Sequence, residues 1–206
     1  MNSAAVPPPP AARDHPVRRS GTWRFWLVAL FLILGCRGVF ATDSGIHIRS
    51  AEVANNADAY FLDATFQIDL GPTLEEALTR GVTLHFVTEF ELLYERWYFL
   101  NLWNKTISTV EQRYRLNYNA LTRHYRLSTG ALTLSLETLR EALALMGRVR
   151  GQQIATRDQL DPSLVYAAQI RLRIDTAQLP KPFQISSIGS KTWNLSSDWY
   201  RWTVKP

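Results

Sequence analysis

Between residues 46 and 175 apolar and polar side chains trade places at nearly every step, and this period of two limits the chain to strand-rich folds. Successive side chains of an extended strand point to opposite faces, so such a period buries one face and wets the other. Tyr60, Leu62, Ala64, Phe66 and Ile68 share one face, while Asp63, Thr65, Gln67 and Asp69 take the other. Ile46 and Ile48 open a shorter strand before it, and Asn55-Asn56-Ala57-Asp58 between them has the composition of a hairpin turn. Val82, Leu84, Phe86, Phe90, Leu92 and Tyr94 alternate with Thr83, His85, Glu89, Glu91 and Glu95. A strand of that length calls for a bend or turn between Arg96 and Lys105. Val110, Tyr114, Leu116 and Tyr118 alternate with Glu111, Arg113, Arg115 and Asn117; after a break at Asn119 to Thr122, Tyr125 and Leu127 continue, and Leu132 with Leu134 add a short segment. The cleanest alternation sets Tyr166, Ala168, Ile170, Leu172 and Ile174 against Gln169, Arg171, Arg173 and Asp175.

Two short helices interrupt the strands. Thr73 with Glu76, and Thr138 with Glu141, have the spacing of a capping box, and each helix ends near a glycine, Gly81 or Gly147. The two helices share a Thr-Leu-x-Glu-Ala-Leu string, which either records a duplication or reflects two independent solutions to the same capping problem. At Leu179-Pro180-Lys181-Pro182 two prolines remove ladder donors, which predicts an extended polyproline-type turn. Trp193 to Trp202 supplies a last edge strand. The expected fold is mainly β, all-β or α+β: an antiparallel β-sandwich or strongly curved sheet with two short helices in its connections.

Charge enters the argument through its distribution. Of 206 residues, 23 are Lys or Arg and 18 are Asp or Glu, a net +5. Arg13, Arg18, Arg19, Arg24 and Arg37 against Asp14 place +4 of that in residues 1–41, which leaves +1 for residues 42–206. The basic excess therefore belongs to a leader and does not mark a nucleic-acid footprint. Proline- and alanine-rich residues, then Arg18, Arg19 and Arg24, lead into the run from Phe25 to Cys36, the order of an export signal. Twelve helical residues reach only about 18 Å, short of a hydrocarbon core of roughly 30 Å. Val39-Phe40-Ala41 supplies small residues for a signal-peptidase cut before Thr42. Residues 1–41 are thus a signal peptide or an uncleaved N-terminal membrane anchor through residues 25–41, and residues 42–206 form one β-rich envelope domain. Leu34-Gly35-Cys36 makes a poor lipoprotein signal, with bulky Leu34 where a small residue is usual, and Arg18-Arg19 an incomplete twin-arginine signal. The one cysteine, Cys36, lies in that leader, so residues 42–206 have no disulfide, thiolate metal site or cysteine nucleophile.

No GxSxG, HExxH, GxGxxG or P-loop pattern occurs, and no catalytic residue, cofactor or metal is expected. His85 with Glu89 and Glu91 is the nearest approach to an acid-base or metal cluster, but along a strand these groups spread over roughly 20 Å at about 3.3 Å per residue. Arginines on strands are the stronger signal. Arg113, Arg115, Arg171 and Arg173, with Arg123, Arg126, Arg148 and Arg150 nearby, can line a surface suited to carboxylate or phosphate groups. The competing reading is a solvated polar face whose arginines pair with acidic neighbours such as Glu111, Glu141 and Asp175. Aromatics gather at Tyr94 to Trp103 and at Trp193 to Trp202; exposed, they mark a partner surface, and packed, they seal one end of the sandwich. Arg113, Arg115, Arg171, Arg173, Trp97, Tyr98 and Trp103 form the candidate binding surface.

These residues also carry a resemblance. Arg96-Trp97-Tyr98, the Arg115 to Arg126 string containing Leu-Asn-Tyr-Asn-Ala-Leu-Thr-Arg, Arg171-Leu-Arg-Ile-Asp175 and Leu179-Pro-Lys-Pro-Phe183 resemble the bacterial family known as domain of unknown function 4390, whose members are often called proline-rich signal peptide proteins. The resemblance covers nearly all of residues 42–206. It implies an exported or membrane-attached protein of a Gram-negative cell and assigns no activity or catalytic residue. The expected function is a non-enzymatic periplasmic domain that binds an envelope protein or an amphipathic ligand. The alternative is an envelope enzyme of hydrolase type, for which a concave pocket with convergent titratable groups would be the sign.

Overall fold

Alternation is realised as two antiparallel sheets. A computed structural model describes residues 44–56, 58–94, 105–187, 190 and 192–206. Strands β1 (Gly45–Asn55) and β2 (Ala59–Asp69) form the expected hairpin, closed where the Asn56 amide donates to the Ala59 carbonyl at 2.9 Å. With β7 (Arg148–Thr156) they make a three-stranded sheet ordered β1-β2-β7. The second sheet contains β3 (Leu84–Tyr94), β4 (Lys105–Asn119), β5 (His124–Thr129), β6 (Leu132–Leu136), β8 (Tyr166–Ile174) and β9 (Tyr200–Val204), in the order β6-β5-β4-β3-β8-β9. β9 is a C-terminal edge strand, but it begins only at Tyr200, so of the expected Trp193 to Trp202 just Tyr200 to Trp202 belong to it. Neither sheet closes into a barrel.

The apolar faces of both sheets meet in one core. Leu62, Ala64 and Phe66 from the small sheet share a cluster with Leu84, Phe86, Phe90, Leu116, Ile170 and Leu172 from the large one. Burying each large side chain contributes about 1.5–3 kcal/mol, which makes this cluster the main source of stability. Helix α1 (Gly71–Thr79) packs against β4, and α2 (Leu139–Met146) covers the end of the core between β2 and β5. Among the described residues no helix is long and apolar enough to cross a membrane.

Local chemistry explains three departures from the sequence reading. Thr73 does not cap α1. The helix starts earlier, because Gly71 at φ +69° turns the chain sharply off β2, and Pro72 fits the first turn, where its missing N–H costs nothing. Asp69 Oδ1 accepts the Gly71 amide at 3.0 Å in place of a threonine cap. By contrast, Thr138 caps α2 through both halves of the box: its hydroxyl accepts the Glu141 amide at 3.2 Å, and Glu141 Oε2 accepts the Thr138 amide at 3.4 Å. The second departure is at Pro180 and Pro182, where the polyproline-type turn gives way to helix α3 (Lys181–Ser187). The Pro180 carbonyl accepts from the amides of Phe183 and Gln184, and Pro182 sits in the first turn, where no amide is needed. Third, β7 lacks a readable period, since Gly151 at φ +58° and slipped pairing between Leu62 and Ala64 break its alternation. The bend expected between Arg96 and Lys105 and the leader with its cleavage or anchor readings lie outside the described residues.

Candidate functional site

Odd-numbered residues of β3 set the outer face of the large sheet. β3 lies between β4 and β8, so His85 stands opposite Arg115, Val87 between Arg113 and Arg173, Glu89 between Glu111 and Arg171, and Glu91 between Thr109 and Gln169. The structure thus brings all four candidate arginines onto one face. Trp97, Tyr98 and Trp103 lie outside the described residues.

The four arginines divide into two pairs by environment. Glu89 and Glu111 are like charges directly opposed across the ladder, an arrangement that is repulsive unless cations intervene. Arg113 Nη2 lies 3.0 Å from Glu111 Oε2 at a well-exposed position. Arg171 Nε donates to Glu89 Oε2 at 2.5 Å, and Arg173 donates to Glu89 Oε1 through Nε at 2.8 Å and Nη2 at 2.7 Å. The Glu89 side chain is 13% exposed. Burial alone would push its carboxyl up, but the hydrogen bonds from Arg173 and Arg171 outweigh it and hold the group below its ordinary value. Trp199 completes this clamp, with its ring 4.4 Å beneath the Arg171 guanidinium. Trp199 is placed by the segment that returns beside β8, where the Ser197 amide donates to the Leu172 carbonyl at 2.9 Å. Arg171 and Arg173 are therefore engaged with a carboxylate of their own sheet.

Arg115 and Arg126 have no carboxylate partner among the described residues. Arg115 projects between His85 and Ser128, and Arg126 stands opposite Asn117. Two adjoining depressions follow this strip. One of about 380 Å³ is lined by His85, Arg115, Asn117, Arg126, Ser128 and Thr133, among others; the other, of about 400 Å³, reaches from His85 and Arg115 to Arg113 and Asp175. Asn117 Oδ1 is buried without a hydrogen-bond partner, an acceptor that costs free energy unless something meets it. Burial and the Arg115 charge push the His85 imidazole down, partly opposed by Asp175, so it adds little positive charge to the strip at neutral pH. The strip can hold carboxylate or phosphate oxygens by charge-assisted hydrogen bonds from two guanidinium forks.

Aromatic residues of the C-terminal stretch are distributed as packing. Trp193 is buried against Phe183 with centroids 5.2 Å apart, and Trp202 packs on Phe90 at 6.2 Å while Tyr200 leans on it from outside. Trp193 and Trp202 seal the core near its edge, while Tyr200 stays exposed.

Sequence reasoning passed over Asn117 and the Glu89 clamp. Asn117 has an outward position in the β4 alternation, which marks it as a face residue and nothing more. The clamp depends on cross-strand register, which the period of two does not specify between strands far apart in sequence.

The fold and face define a two-sheet antiparallel β domain with a cationic strip on its open side. The chain belongs to the family described as Domain of unknown function (DUF4390), whose model matches residues 43–203. No curated protein and no solved structure matches it.

Proposed function

We propose that residues 42–206 act as a non-catalytic binding domain of the cell envelope, delivered there by the leader, and that the acidic surface of a partner protein docks on the outer face of the large sheet. One observation carries this reading: Arg115 and Arg126 project from adjacent strands with no carboxylate partner among the described residues, while the neighbouring Arg171 and Arg173 are held by Glu89. Cations kept free of carboxylate partners among the described residues, over depressions lined by hydroxyls, favour an external anion. The titratable groups of this face are either locked in ion pairs or strung along strands, a pattern that suits a docking surface better than a reaction centre.

A defined acidic probe tests it. Oligoglutamate titrated into the protein should bind more weakly as salt rises, and Arg115→Glu with Arg126→Glu should weaken binding by about tenfold or more, at about 1.4 kcal/mol per decade. Reversal of Arg140 and Arg148, on α2 and β7 away from this face, supplies the same change in net charge and should leave most of the affinity. Equal loss from both reversals would reduce the strip to bulk charge and overturn the proposal.

A further inference from the structure

A larger cavity than either depression lies elsewhere, at the end of the core covered by α2. Pairing of β7 with β2 stops at Thr65 opposite Arg148, and the Phe66 amide then donates to the Gly147 carbonyl at 2.7 Å. From Gln67 to Asp69, β2 pairs only with β1, because α2 occupies the place of a continuing strand. A helix cannot fill that space as a strand would. The result is an open cleft of about 670 Å³, within the range of small-molecule sites.

Its walls and rim differ in character. Phe66, Ile68 and Leu70 line it from β2 and the turn into α1, and Leu139 and Leu143, four residues apart on one face of α2, line it from the other side with Tyr125. Arg49, Arg140 and Arg148 stand around this apolar lining. Arg49 is hydrogen-bonded to Gln67 Oε1. Arg140 and Arg148 have no carboxylate partner among the described residues. Of the two acids at the cleft, Asp69 is turned to the Gly71 amide at 3.0 Å, and Glu75 is close enough to Tyr125 to help raise its phenol, after burial and Tyr118. Neither neutralises α2's arginine or that of β7.

We propose that this cleft binds a single-chain amphiphile with an anionic head, its hydrocarbon chain against the Phe66, Ile68 and Leu143 surfaces and its head on Arg140 and Arg148. Each CH₂ taken from water contributes about 0.8 kcal/mol, so a chain supplies affinity while the guanidinium groups select the sign of the head. This site is separate from the sheet face, and either proposal can fail alone.

The test uses four probes with the same twelve-carbon chain, each held below its micelle-forming concentration: dodecanoate, dodecyl phosphate, dodecyltrimethylammonium and dodecyl maltoside. Calorimetric titration of the protein should give saturable one-to-one binding of the two anions, with the cation and the neutral sugar at least about tenfold weaker. Tighter binding of dodecanoate indicates a fatty-acid head, and tighter binding of dodecyl phosphate a phosphate-ester head. Ala144→Trp, at an exposed cleft position on α2, should block the anions by filling the space. Arg140→Gln, a milder change at an exposed site, should weaken them while the thermal transition is unchanged. Absence of saturable anion binding, equal binding of the cation, or indifference to both variants would overturn the proposal. Loss of oligoglutamate binding in Ala144→Trp would instead show that the two surfaces are coupled and would overturn their separation.

Discussion

Replacing Glu89 by Gln keeps the side chain's shape and removes the charge that holds Arg171 and Arg173 together. Three N–H groups reach its carboxylate at 2.5, 2.7 and 2.8 Å. Hydrogen bonds to a charged group contribute about 1.5–3 kcal/mol each in net terms. Both arginines are a third exposed, 32% and 33%, so water replaces part of what is lost. Gln also retains one acceptor. A net loss of about 2 kcal/mol follows, and for a domain of about 150–250 residues that lowers the thermal midpoint by roughly 4–8 °C. Arg113→Gln is the internal control: its ion pair with Glu111 is exposed on both sides and should contribute at most about 1 kcal/mol. Calorimetric melting at pH 7 and in acid separates the two. Glu89 has a lowered folded-state pKa, so its stabilisation is complete above the ordinary carboxyl value and disappears as pH falls through the folded one. The gap between wild type and Glu89→Gln should therefore close in acid. A Glu89→Gln variant as stable at pH 7 as Arg113→Gln would refute the clamp.

Four further outcomes follow. Ile170→Ala removes a fully buried side chain from the middle of β8 and should cost about 2–5 kcal/mol in denaturant melts. Gly147→Ala would place a methyl 2.5 Å from the Phe66 carbonyl oxygen, so the junction of α2 and β7 must shift, and a measurable loss of stability should follow despite the small change. Thr138→Ala should cost about 1 kcal/mol through its lost cap, whereas Thr73→Ala, inside α1, should cost much less. His85 has a lowered folded-state pKa, so its contribution is present above about pH 6.5 and is lost as pH falls below that; His85→Gln should flatten that part of the stability profile.

What was legible in the sequence is what depends on period and local chemistry. Tyr60 to Ile68 and Tyr166 to Ile174 read correctly, because each buries one face along its whole length. Thr138 read correctly because a capping box is complete within four residues. β7 did not, since a left-handed glycine at 151 and a slipped pairing to β2 erase the period there. Thr73 misled because Gly71 and Pro72 offered an earlier start with a better-fitted first turn. Pro180 and Pro182 misled because proline is as compatible with the first turn of a helix as with an extended segment. At the candidate face the arginines were legible as outward, but their division was not. Glu89 lies 82 positions from Arg171, and only the pairing of β3 with β8 brings them together. Glu111 alone among the acids named as partners is paired with one of these four arginines, and it is two residues from Arg113. The cleft under α2 was invisible for the same reason as β7, which forms one of its borders.

Crosslinking in the living cell decides whether Arg115 and Arg126 present the face that meets the partner. Benzoylphenylalanine placed at Ser128, opposite Arg115 and two residues from Arg126 on β5, is irradiated alongside the same group at Ser163 in the loop before β8. A discrete protein adduct should form from position 128, be absent from position 163 and be lost when Arg115 and Arg126 are reversed to Glu. No adduct from position 128, or one that survives the reversal, would contradict the proposed docking face.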